Sequence, residues 1–130
     1  MDAIKKRTVL AVDDERANLL VLNRILGADY NVITAKTGGD ALRRAGEEMP
    51  DLILLDVVMP DMSGFDVLRE LKKRRETQSI PVIVITGLAG EKDERTGMEL
   101  GAAGYIVKPF SHDTVRACVG RHIDGDTPPA

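Results

Sequence analysis

Five polar residues each sit at the end of a short aliphatic run, and their types suit phosphoryl chemistry. Asp13 and Asp14 follow Thr8–Val12, Asp56 follows Leu52–Leu55, and Thr86 closes Val82–Ile85. Lys108, with Pro109 after it, closes Tyr105–Val107. Three carboxylates gathered in one pocket repel one another, so either some hold protons or a cation joins them. An all-oxygen donor set suits Mg²⁺, a hard ion that prefers octahedral geometry and keeps several waters. A carboxylate can also attack phosphorus and form an acyl phosphate. An ammonium group and a hydroxyl at its side would hold the equatorial oxygens of the transferring group. Asp14 and Asp56 are remote along the chain, so this chemistry depends on a fold that brings the strand ends together.

The runs Thr8–Val12, Asn31–Thr34, Leu52–Leu55, Val82–Ile85 and Tyr105–Val107 are short, and most are rich in β-branched residues, which predicts strands. The second, third and fourth are nearly continuous in apolar or β-branched residues, as in strands covered by helices on both faces. Between the runs lie helical patterns. Leu19, Leu22, Ile25 and Leu26 mark a helix over 15–26 with Gly27 as its cap. Thr37 can cap a helix running to Glu48, before Pro50. Ser63 can cap one holding Phe65, Val67, Leu68 and Leu71. A fourth is predicted over 91–100, stopping at Gly101. Ser111 can cap a fifth, which turns Val115, Cys118 and Val119 inward.

Strand–helix repeated five times predicts parallel strands joined by right-handed helical crossovers. Open α/β sheets bind ligands beyond the carboxyl ends of the strands, where strand order reverses. If the order is 2-1-3-4-5, that point lies between the first and third strands, and Asp13, Asp14 and Asp56 meet there.

The bulk numbers limit the alternatives. A length of 130 residues fits one domain. With 43% apolar and 30% charged residues the chain reads as soluble and globular, and a net charge of −3 predicts no broad basic surface for nucleic acid. The single cysteine, Cys118, excludes an intrachain disulfide and suits a reducing compartment. No run resembles a signal peptide or spans a membrane, so a cytoplasmic location is expected. Residues 123–130 carry no apolar pattern and are expected to form a flexible tail or the stub of a linker. Cys118 reads as a core residue, His112 and His122 as solvated, and Lys72-Lys73-Arg74-Arg75 as a solvated helix end.

Val12-Asp13-Asp14-Glu15, the run from Leu54 through Asp56-Val57-Val58-Met59-Pro60-Asp61 to Gly64, Ile85-Thr86 and Lys108-Pro109-Phe110 together resemble response-regulator receiver (CheY-like) domains of two-component signalling. Singly, each has an ordinary explanation: helix-start acids, a turn aspartate, a solvated lysine. All four in order, each at a strand end, are specific. The resemblance covers residues 7–122. It implies a flavodoxin-like (βα)5 three-layer sandwich with a five-stranded parallel sheet of order 2-1-3-4-5; periodicity alone does not supply that order.

The resemblance also implies roles. Asp56 is the phosphoacceptor. Asp14 and Asp56 ligate Mg²⁺, with Asp13 acting through water and the Val58 carbonyl as a further ligand. Thr86 is the switch hydroxyl, Lys108 pairs with the phosphoryl group, and the Lys108–Pro109 bond is cis. Tyr105 is an aromatic that turns inward when Thr86 moves, and Gly64 serves backbone geometry at a helix start. The expected partners are a histidine kinase or phosphotransfer protein as donor, and an output domain or downstream protein. The stretch Asp13-Asp14-Glu15-Arg16-Ala17-Asn18 is similar to receivers attached to cyclic-dinucleotide enzymes.

Three positions depart from common family choices. Val58 and Leu88, two residues after Asp56 and Thr86, offer no side chain to orient an attacking water, which predicts a long-lived acyl phosphate. Ala103-Gly104 replaces the acidic pair used in one subfamily's charged dimer; a homodimer through another surface stays open. Two other functions compete. A phosphohydrolase with an aspartyl-phosphate intermediate needs a second acid where Val58 stands. A phosphate-independent interaction domain leaves the complete acidic set without a purpose.

Overall fold

The computed structural model describes residues 6–123. The tail expected over 123–130 lies outside them apart from Ile123. Five strands, β1 (Thr8–Val12), β2 (Asn31–Ala35), β3 (Leu52–Leu55), β4 (Val82–Thr86) and β5 (Gly104–Val107), form one parallel sheet in the order β2-β1-β3-β4-β5. Helices α1 (Arg16–Leu26), α2 (Gly38–Glu48), α3 (Gly64–Lys73), α4 (Glu91–Glu99) and α5 (His112–Ile123) alternate with them. The flavodoxin-like three-layer sandwich is therefore as expected.

Side chains of a strand point alternately to its two faces, and the buried residues divide accordingly. Val9, Ala11, Leu52, Leu54, Ile83 and Ile85 pack with Leu22 and Leu26 of α1 and Val115 and Val119 of α5. Leu10, Val12, Ile53, Leu55, Val82 and Val84 face the other way, onto Ala41 and Ala45 of α2 and Val67, Leu68 and Leu71 of α3. Helix α4 contributes little: Gly97 is its buried residue, lying against the rings of Tyr105 and Phe65.

Several local expectations need correction. The second strand is not covered on both faces. It is an edge strand, with only Ala35 buried, while β1 lies inside the sheet between β2 and β3. β-Branched residues favour any pleated, half-buried surface, so their density did not distinguish edge from centre. Gly27 does occupy the end of α1 but stays right-handed; left-handed backbone falls at Met49, just before Pro50, and at Gly101. Lys73, Arg74 and Arg75 are exposed as expected, but Lys72 is half-buried, and its ammonium donates to the carbonyls of Gln78 and Ile80 at 3.1 and 2.8 Å. His122 is half-buried, with Nδ1 2.8 Å from the Cys118 carbonyl oxygen. Cys118 is buried as expected, and α5 extends to Ile123, whose side chain is also buried.

Thr37 accepts from Asp40 N–H at 3.1 Å and Ser63 from Phe65 N–H at 3.1 Å, so both cap their helices as predicted. Ser111 accepts from Thr114 N–H at 3.1 Å. At the start of α3 the chain passes tightly over the end of β3. Gly64 N–H donates to the Val57 carbonyl at 2.7 Å, and a Cβ on Gly64 would collide with the Asp56 carbonyl oxygen and lie 2.7 Å from Val57 Cα. Those are backbone atoms with no side-chain freedom to retreat. Gly64→Ala is therefore expected to lower stability by about 2 kcal/mol or more, in the range of overpacking. A reduced urea midpoint at unchanged m-value checks this.

Candidate functional site

Strand register brings the acids together. β1 and β3 pair in parallel with Val12 opposite Leu55, so the next residues, Asp13 and Asp56, leave the sheet side by side. The ladder continues for one more bond, from Asp56 N–H to the Val12 carbonyl at 3.0 Å. One carboxylate oxygen each of Asp13, Asp14 and Asp56 lies within 4.8 Å of the others. Asp13 and Asp56 are buried, Asp14 exposed, so the cluster opens to solvent on one side.

Lys108 reaches the cluster from the far side of β4. Thr86 pairs with Val107, and Lys108 N–H donates to the Thr86 carbonyl at 2.8 Å, which fixes the lysine at the strand ends. Its ammonium lies 2.8 Å from Asp13 Oδ2 and 3.2 Å from Asp56 Oδ2. The Lys108–Pro109 peptide bond is cis, as the resemblance implied. The remaining oxygens also have partners. Asp56 Oδ1 accepts from Val57 N–H at 2.7 Å and, more weakly, from Val58 N–H at 3.4 Å. Asp13 Oδ1 accepts from Glu15 N–H at 2.9 Å, and Asp13 Oδ2 from the Asn18 amide at 3.2 Å.

Burial pushes the Asp56 carboxyl above its ordinary value; Lys108 opposes this and the Asp13 charge adds to it. For Lys108, burial disfavours the ammonium, but the hydrogen bond to Asp13 and the charges of both aspartates prevail and raise it. The pocket therefore strains to hold two carboxylates with one ammonium. All its acidic donors are hard oxygens, and one carboxylate is open to solvent, so the donor set fits a divalent cation such as Mg²⁺.

Thr86 is fully buried, and its Oγ accepts from Leu88 N–H at 3.3 Å. The Tyr105 hydroxyl donates to the Leu88 carbonyl at 2.8 Å. Leu88 thus joins the two residues expected to switch together, both bonded to its peptide groups. Val58 is among the most exposed apolar residues, at 61%.

A family model described as "Response regulator receiver domain" matches residues 9–120. The chain belongs to the response regulator receiver domain family. This receiver domain is 37% identical over 123 residues to a probable cyclic di-GMP phosphodiesterase of Vibrio cholerae, aligning 95% of the chain with 28% of that protein. It is 47% identical over 103 residues to the response regulator PleD of Caulobacter vibrioides, 78% of the chain against 23% of PleD. A probable transcriptional regulator, ycf27 of Guillardia theta, is 40% identical over 118 residues, 90% against 45%. The receiver domain thus spans less than half the length of these curated relatives. Among solved structures, chemotaxis protein CheY4 of Vibrio cholerae superposes with a TM-score of 0.85 at 31% identity, covering 90% of this chain and 98% of that one. A CheY-like receiver domain protein of Methanospirillum hungatei gives 0.86 at 30% identity, covering 93% and 96%.

Two contacts of the site were not read from the sequence. Asn18, on the first turn of α1, holds Asp13; it stood out only as part of a longer motif. Asp61 reaches away from the cluster and accepts from Gly38 and Gly39 N–H at 2.9 and 3.0 Å. Those two backbone donors hold its carboxyl below the ordinary value. No helix among the described residues is long and apolar enough to cross a membrane.

Proposed function

We propose that this receiver domain is a phosphorylation switch: it takes a phosphoryl group onto Asp56 from a histidine kinase or phosphotransfer protein, with Mg²⁺, and thereby controls an output domain or downstream partner. The observation that carries this reading is the shared pocket, in which buried Asp13 and Asp56 divide one ammonium, from Lys108, while Asp14 stands open beside them. Asp13, Asp14, Asp56 and the Val58 carbonyl would hold the ion, which when bound neutralises charge on the phosphoryl oxygens.

The chain's own residues supply the rest. An open hollow of about 410 Å³, lined by Asn18, Val21, Lys108, Pro109 and Phe110, lies beside Lys108. A carboxylate oxygen of Asp56 forms the new O–P bond. The P–N bond to the donor imidazole breaks, and its electron pair returns to that ring. Lys108 exchanges its contact with Asp56 for one with a phosphoryl oxygen, and the Thr86 hydroxyl gives up Leu88 N–H to donate to another. Because Tyr105 is bonded to the Leu88 carbonyl, a shift of Thr86 reaches the β5 surface through that loop. Phosphorylation then displaces an existing equilibrium between two arrangements. Incubation of the chain with a small phosphodonor tests the reading: a gain of one phosphoryl mass with Mg²⁺ and none in EDTA supports it, while uptake indifferent to EDTA refutes the metal's part.

Val58 and Leu88 present no acid or amide to an attacking water, so the acyl phosphate is expected to decay slowly. Val58→Asn or Leu88→Glu should shorten its half-life several-fold, on the order of 1 kcal/mol in the barrier. Decay of the phosphorylated mass with time checks this; unchanged half-lives in both variants would contradict it.

A further inference from the structure

The loop between Asp56 and α3 carries Val58, which the pocket itself holds only through a long 3.4 Å bond from its N–H to Asp56 Oδ1. Its two ends are secured. At one, Val57 and Val58 N–H turn back onto Asp56 Oδ1, and Gly64 N–H closes onto the Val57 carbonyl. Further along, the Asp61 carboxylate spans the first two backbone N–H groups of α2, 2.9 Å from Gly38 and 3.0 Å from Gly39. Those N–H groups have no partner within the helix, so a carboxylate there gains both hydrogen bonds and a favourable helix dipole. Met62 secures the same seam by packing: a Cβ on Gly38 would overlap Met62 Cγ and lie 2.7 Å from its sulfur. Two successive loop residues are thus fitted to the start of α2, more than twenty positions away in sequence.

We infer that Asp61 is a positioning residue for the metal site: by clamping the Asp56–Gly64 loop to the start of α2, it holds the Val58 carbonyl where the ion needs it. This rests on the proposed function above. Asp61 touches neither the ion nor the phosphoryl group; it acts through the loop, as outer contacts do in other metal sites. The same helix carries an internal control. Thr37 caps α2 through Asp40 N–H and has no bond to the loop. A purely structural role for Asp61 would make its loss resemble the loss of Thr37.

The test is titration of the full unphosphorylated chain with Mg²⁺ alone, followed by amide chemical shifts, in wild type, Asp61→Ala, Asp61→Asn and Thr37→Ala, with urea midpoints for each. Asp61→Ala is expected to raise the Mg²⁺ dissociation constant roughly tenfold. Asp61→Asn, which keeps one acceptor oxygen and the side-chain volume, should fall between it and wild type. Thr37→Ala should lose stability and keep wild-type affinity. Equal Mg²⁺ affinity in all four chains overturns the inference and leaves the proposed function standing. Parallel loss in Asp61→Ala and Thr37→Ala also overturns it, showing that α2 stability alone matters. Absence of Mg²⁺ binding by the wild type itself would overturn the metal site and the inference together.

Discussion

Replacing Lys108 by Ala is expected to lower stability by about 3 kcal/mol at neutral pH without divalent cation, because it leaves two buried carboxylates facing each other with no counter-charge. The Asp13 and Asp56 side chains are 3% and 8% exposed and that of Lys108 is 21%, so solvent offers little relief. Lys108→Met, which keeps the apolar stem, separates lost charge from lost packing. Mg²⁺ should restore part of the loss, since an ion that binds only the folded chain stabilises it by mass action.

The sign of the accompanying pH effect follows from Asp56. Its folded value is raised above the ordinary 3.8, so at a pH between the two values the folded chain holds a proton that the unfolded chain releases. The contribution of Asp56 is therefore most favourable below that value and is lost as pH rises through the raised one. Removing Lys108 lifts the folded value further and extends the decline to higher pH. Adding Asp56→Asn should abolish it. Lys108 behaves differently in the wild type: its folded value is raised above 10.5, so its contribution is intact below that value and is lost only as pH climbs past it. Urea midpoints across pH, in EDTA and in Mg²⁺, measure all of this. A Lys108→Ala chain as stable as wild type in EDTA would mean that the ammonium is not what holds the acids together.

The site was legible because its residues occupy strand ends. A strand end is fixed by a hydrophobic run, which sequence shows well, and once the strand order is known parallel register places Asp13 beside Asp56 and Lys108 next to Thr86. The strand order came from the resemblance, since alternation of apolar residues is the same whichever neighbour a strand pairs with. The run Asn31–Thr34 looked like a strand covered on both faces because it is rich in β-branched residues, which suit a half-buried edge equally well. The Asp61 contact was invisible for a different reason. It joins a loop to the start of α2 through backbone N–H groups, which every residue but proline possesses, so no side-chain pattern marks the receiving end. Lys72 misled because a basic cluster at a helix end is ordinarily solvated, whereas here the carbonyls of a following turn fold over it.

Asp56→Asn is expected to abolish phosphoryl uptake while leaving the fold intact. The amide is nearly isosteric, keeps an oxygen to accept from Val57 N–H, and removes one of the two buried charges that Lys108 must balance. Its nitrogen is no nucleophile, so the expected effect is loss of the whole reaction rather than a slower one. Substitution of Asp13 or Asp14 by Asn should weaken Mg²⁺ binding yet leave some uptake, because neither forms the bond to phosphorus. The most direct measurement is the position of the label: the wild-type chain is incubated with a small phosphodonor and Mg²⁺, reduced to trap the acyl phosphate, digested, and the modified residue located by mass. Modification confined to Asp56 is the predicted result. A phosphoryl group on any other residue, or equal uptake by Asp56→Asn, would contradict the account.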